Sequence, residues 1–135
     1  MDATVELSPT VVTKHEGAAV SLSVDGAKVS DLYFDFSTLL KAVRSPSDAS
    51  LDFLLVAATV YSLDKLTPRS KSQNGWEREF AVTVPVKDAK RWSKARKVID
   101  QCVSFLSGDD WTFQFVERTG PIVRRKQRKT KSRIA

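Results

Sequence analysis

Trp76-Glu77-Arg78-Glu79-Phe80-Ala81-Val82-Thr83-Val84-Pro85-Val86 is the stretch that decides how this chain folds. In an extended chain, Trp76, Arg78, Phe80, Val82, Val84 and Val86 share one face, and Glu77, Glu79, Ala81 and Thr83 share the other. A period of two is the mark of a strand with one side on a core and one toward water. The spacing therefore predicts a strand over 76–86. Pro85 has no N–H for a ladder, which predicts that the strand ends at a sheet edge or a bulge.

Moving outward, the period changes. Leu51 to Leu66 is apolar around most of a helical girth, which predicts a helix central to the core. Ser47, Asp48 and Ser50 are its candidate caps. Thr67-Pro68 ends it, because a residue before proline is pushed out of the helical region. Residues 69–75 then form a polar loop. Beyond the strand, Asp88 opens a second long helix. In it Trp92, Ala95, Ile99, Cys102, Val103 and Leu106 recur at steps of three and four, while Lys90, Lys94, Lys97 and Gln101 line another face. Gly108 stands where a left-handed cap is expected. After the Asp109-Asp110 turn, Trp111, Phe113 and Phe115 alternate with Thr112, Gln114 and Val116 as a last strand.

Toward the N-terminus, residues 3–7 and 18–24 read as strands, with Asp25-Gly26 as a tight turn into a return strand over 27–30. Leu32, Phe34 and Phe36 fit either a further short strand or an extended lead into a helix over 37–43. The fold expected is α+β: a small, mostly antiparallel sheet with two main helices packed on one face. It forms one domain over 1–117, and residues 118–135 form a basic tail with too little apolar content to fold.

A chain of 135 residues with 41% hydrophobic side chains has room for one modest core. Its one cysteine, Cys102, excludes an internal disulfide and a zinc cluster of thiolates within the chain. The single histidine, His15, leaves little for imidazole catalysis. The five glycines are isolated, so no phosphate-binding loop or nucleophile elbow is present. On its apolar stripe Cys102 reads as a buried small hydrophobe. The tryptophans read as core, His15 as a loop residue and Asp109-Asp110 as a solvated turn rather than a cation site. No catalytic residue, metal or cofactor is expected. The acidic start Met1-Asp2-Ala3-Thr4-Val5-Glu6 has no apolar leader segment, and the run 51–66 is too short and polar to span a bilayer. A cytoplasmic protein without a membrane partner is expected.

The formal charge of +6 is unevenly placed. Arg124, Arg125, Lys126, Arg128, Lys129, Lys131 and Arg133 crowd the last stretch; of 22 basic residues, the 15 left face 16 acidic ones. Such a tail, extended by Lys90, Lys94 and Lys97, suits phosphate neutralisation on nucleic acid with little sequence selectivity. A merely solvated terminus has the same composition.

Three further segments carry a resemblance. They are Val60-Tyr61-Ser62-Leu63-Asp64-Lys65-Leu66-Thr67-Pro68-Arg69, Trp76-Glu77-Arg78-Glu79-Phe80 leading to Val84-Pro85-Val86-Lys87-Asp88, and Phe105-Leu106-Ser107-Gly108-Asp109-Asp110-Trp111-Thr112-Phe113-Gln114-Phe115. In this order they resemble the N-terminal domain preceding the ATP-pyrophosphatase domain of 7-cyano-7-deazaguanine synthase-like (QueC-like) proteins of bacterial antiphage defence. In that family a helix ending in V-Y-x-x-D-x-x-x-P-R precedes a W-x-R strand, a P-V-x-D turn, a helix and an F-L-T-G-D-x-W-x-F-x-F strand. The resemblance covers residues 50–117. The family's S-G-G-x-D-S loop for ATP phosphates and its zinc cysteines are absent from this sequence, so no synthase activity carries over. The resemblance implies a noncatalytic accessory module acting with a separately encoded enzyme, with Asp64, Arg69, Trp76 and Arg78 as candidate partner-binding residues. Nucleic-acid binding through the tail is the alternative.

Overall fold

In the computed structural model, residues 1–8, 17–35, 47–69 and 76–118 are described. The strands are β1 (Asp2–Ser8), β2 (Gly17–Val24), β3 (Ala27–Asp35), β4 (Glu79–Val86) and β5 (Asp110–Glu117). The helices among these residues are α1 (Asp48–Leu66), α2 (Ala89–Lys94) and α3 (Arg96–Ser107). The sheet order is β3-β2-β1-β4-β5.

The α+β class holds, but the sheet is mixed rather than mostly antiparallel. β2 pairs antiparallel with β1 and β3, whereas β4 is parallel to both β1 and β5. The connections explain this. A two-residue turn can only reverse a strand, whereas a parallel neighbour needs a long crossover. Asp25 (φ 50) and Gly26 (φ 80) make the turn between β2 and β3 with both residues left-handed. The stretch carrying α1 leads into β4, and α2 with α3 lead into β5. β3 runs on through 31–35, which decides the alternatives left by Leu32 and Phe34 in favour of a strand.

α1 covers one face of the sheet, and α3 reaches the same core from the outer edge of β5. Phe80, Val82 and Val84 lie in register with Trp111, Phe113 and Phe115. These six form one core with Ala3, Leu22 and Val86 and with Leu51, Leu55, Val56 and Leu63 of α1. The rings run as a ladder: Phe80 lies 4.2 Å from Trp111, Trp111 5.9 Å from Phe113, and Phe113 5.8 Å from Phe115, centroid to centroid. On the opposite face Glu79, Ala81, Thr112, Gln114 and Val116 are exposed. α1 starts where Ser47 Oγ accepts the Ser50 N–H at 3.1 Å and stops at Thr67, before Pro68.

Several expectations shift. β4 begins at Glu79, and Trp76 is 78% exposed rather than in the core; Trp92 is half-buried and Trp111 buried. The ladder opens at Glu79↔Asp110, with the Asp110 N–H donating to the Arg78 carbonyl at 2.8 Å, so Trp76 lies beyond its end. β4 is an inner strand, yet Pro85 is accommodated because the β1 ladder ends at Thr4↔Thr83, before the position that would require its N–H. The helix expected from Asp88 is two. Asp88 caps α2 through the Arg91 N–H, and the Ala95 N–H turns back to the Trp92 carbonyl at 3.1 Å before α3 begins.

α3 lies along the outer edge of β5. The Phe113 N–H donates to Asp100 Oδ1 and the Trp111 N–H to Ser104 Oγ, both at 2.9 Å. Trp111 Nε1 reaches Ser107 Oγ at 2.9 Å. With this polar row toward β5, Ile99 and Val103 are the α3 residues that meet the core, beside Trp92 of α2. Ala95, Cys102 and Leu106, expected on the buried stripe, are exposed instead. Among the described residues no helix is long and apolar enough to cross a membrane.

Candidate functional site

Two helices end side by side at the start of β4 and β5, and two arginines tie the ends together. α1 leaves unpaired carbonyls at its C-terminus, where the helix dipole favours a cation. Arg78, one residue before β4, supplies it. Its Nη1 donates to the Asp64 carbonyl at 3.1 Å and the Thr67 carbonyl at 2.5 Å. Its Nη2 donates to Asp64 Oδ1 at 2.5 Å and to Asp109 Oδ2 at 2.6 Å. The Arg78 guanidinium also sits 5.2 Å from the Phe80 ring centroid, a cation–π distance.

Arg69, just past α1, crosses over to α3. Its Nη2 donates to the Ser107 carbonyl at 3.1 Å, and its Nη1 donates to Asp109 Oδ1 at 2.9 Å and to the Trp76 carbonyl at 2.8 Å. Arg78 thus caps α1 and Arg69 caps α3, and Asp109 holds both arginines. Gly108 positions Asp109: at φ 74 it turns the chain out of α3, and its N–H closes on the Ser104 carbonyl at 3.0 Å. Asp109 also accepts the Arg78 backbone N–H at 3.0 Å.

The charges are balanced, with two guanidiniums against the carboxylates of Asp64 and Asp109. Burial pushes the Asp109 carboxyl up. The side-chain and backbone hydrogen bonds from Arg78 and the charges of Arg78 and Arg69 together outweigh it and hold the group below the usual carboxylate range. The hydrogen bond to Asp109 raises Arg78 above its ordinary value against the opposing effect of burial, with Asp64 adding to the rise.

The structure therefore brings Asp64, Arg69, Trp76 and Arg78 together. It gives them different standing. Arg78 is buried with both Nη atoms held by internal bonds, Asp64 and Arg69 are half-exposed, and Trp76 stands out from the surface. Asp109, read from sequence as a solvated turn residue, is the buried centre of the cluster. The available signal was its place directly after a left-handed glycine and before a strand, where a short acceptor reaches neighbouring N–H groups.

Lys90 and Lys94 on α2 and Lys97 on α3 are exposed. Arg124, Arg125, Lys126, Arg128, Lys129, Lys131, Arg133 and His15 lie outside the described residues. Arg118, counted with the tail from sequence, is buried. It pairs with buried Asp52 of α1, and its N–H donates to the Val86 carbonyl at 2.8 Å. Among the described residues no group of three His, Cys, Asp or Glu side chains is placed to hold a metal ion. Comparisons with protein-family models, curated proteins and solved structures find no match for the chain.

Proposed function

We propose that the chain is a noncatalytic protein-interaction module that presents Trp76, over the Asp64, Arg69 and Arg78 cluster, to a protein partner. One observation carries this reading. Trp76 is 78% exposed, while its carbonyl is held by Arg69, which is itself held by the buried Asp109. A large aromatic that is mostly exposed and anchored through its backbone is preorganised for burial in a partner, and Trp and Arg are enriched among residues that dominate binding energy. The likeness of residues 50–117 to the domain that precedes an ATP-pyrophosphatase in antiphage defence proteins supports a separately encoded enzyme of that class as the partner. Calorimetric titration of such an enzyme encoded beside this chain tests it. Trp76→Ala should retain the melting temperature and weaken binding at least roughly tenfold, as for a hot-spot residue. Unchanged affinity rejects the assignment.

The crowding of basic residues over 124–133 favours nucleic acid as the second reading. Binding of a labelled duplex should fall by orders of magnitude between low and moderate salt. It should also be lost when the chain ends at Gly120; binding that survives this truncation rejects the reading.

A further inference from the structure

Val98, Cys102, Phe105 and Leu106 recur at helical spacing and form one stripe on α3. All four are exposed: Val98 at 68%, Phe105 at 88% and Leu106 at 78%, with Cys102 beside them. The stripe is not what attaches α3 to the fold. That is done by Asp100, Ser104 and Ser107, which bond β5, and by Ile99 and Val103, which meet the core. Contiguous apolar side chains on a helix already held by its other side mark an interaction surface.

The charge around the stripe says what kind of surface. Lys90, Arg91, Lys94, Arg96 and Lys97 are all exposed just before and at the start of α3. The acids of this segment are committed: Asp88 accepts the Arg91 N–H and Asp100 the Phe113 N–H. The first turn of α3 has no acidic residue and Ala95 gives it no side-chain cap, although the positive end of the helix dipole disfavours cations there. A locally unfavourable choice of this sort is expected where a surface serves binding.

We propose that α3 docks an acidic amphipathic helix of a partner protein. Apolar side chains of that helix lie along Val98, Cys102, Phe105 and Leu106, and its carboxylates lie over Lys94 and Lys97. The observations favour this occupant over other polyanions. A nucleic-acid duplex presents phosphates rather than a counterpart for an apolar stripe, and an anionic bilayer is best met by cations along the whole polar face, whereas here they gather at one end. The surface is distinct from Trp76, so either can fail without the other.

The test uses the full chain and a fluorescein-labelled synthetic peptide of about five helical turns, with leucines at i, i+3, i+4 and i+7 and glutamate at the other positions. Anisotropy should show binding. Both Phe105→Ser with Leu106→Ser and Lys94→Glu with Lys97→Glu should weaken it at least roughly tenfold, the hot-spot range. A peptide carrying lysine in place of glutamate should bind the charge-reversed chain and not the natural one. Amide shifts should map to 94–106, and Trp76→Ala should leave the affinity unchanged. The proposal is overturned if the peptide does not bind, or if either pair of substitutions leaves binding intact. It is equally overturned if anionic phosphatidylglycerol vesicles or duplex DNA bind through the same residues, or if sedimentation shows a dimer that Phe105→Ser with Leu106→Ser dissolves.

Discussion

Arg78 Nη2 and Asp109 Oδ2 meet at 2.6 Å with side chains 2% and 0% exposed, at the point where α1 and α3 both end. A charge pair this dry adds little over a well-packed apolar pair, but removing one member strands the other.

Arg78→Met and Asp109→Asn should each lower the unfolding free energy by about 3–5 kcal/mol, the usual cost of breaking a buried pair. Urea denaturation measures it. The double variant should lose clearly less than the two losses added, because the residues share one interaction. Additive losses would show that the pair is not coupled.

The same pair sets a pH dependence. Asp109 titrates near the ordinary value of about 3.9 in the unfolded chain and lower in the fold. Below its unfolded value the unfolded state binds more protons, so stability rises with pH there. The contribution is complete above that value and is lost as pH falls through the lower, folded one. Denaturation from pH 6 down to pH 2 should therefore show the natural chain losing its advantage over Asp109→Asn only in the acid range. A constant difference between the two would contradict this.

Gly108→Ala should cost about 1–2 kcal/mol, the penalty of a left-handed backbone for a residue with a Cβ. Nothing lies within 4 Å of the added atom and φ is 74, so the cost is conformational rather than steric. Asn at the same position should be milder, since it tolerates the left-handed region. Equal midpoints for the Gly, Asn and Ala chains would rule this out.

Asp100→Ala removes the acceptor of the Phe113 N–H. Hydrogen exchange at that amide should accelerate at least roughly tenfold, as expected when a bond worth more than about 1.4 kcal/mol is lost. The Val82 amide on the inner strand should be little changed. Matching acceleration at both positions would point to global destabilisation.

Local chemistry was legible in the sequence. The alternation through Phe80, Val82, Val84 and Val86, a cap among Ser47, Asp48 and Ser50, the Pro68 stop, the Asp25-Gly26 turn and the Gly108 cap are each decided within a few residues. Arg78 was legible as a cation on the strand's apolar face, but Asp64 and Asp109 as the carboxylates that meet it were not fixed by local pattern. Neighbour relations were not. A period of two says which side chains share a face, but nothing of which strand lies alongside, so the parallel pairings of β4 went unread. The apolar arc of α3 is wider than the core can take, and periodicity alone does not say which half faces inward. Asp109 was misread because its burial depends on Arg69 and Arg78, 40 and 31 residues away.

The bonds from Phe113 to Asp100 and from Trp111 to Ser104 have a consequence for assembly. Those two N–H groups would otherwise be offered to an incoming strand. With both occupied, the sheet is chain-terminated on that side, as a polymer is when its growing end is blocked. Among the described residues β3 is the opposite margin, and a strand added from another molecule would be directed there. Self-association by sheet extension would thus be one-sided, joining two molecules β3 to β3 and then stopping.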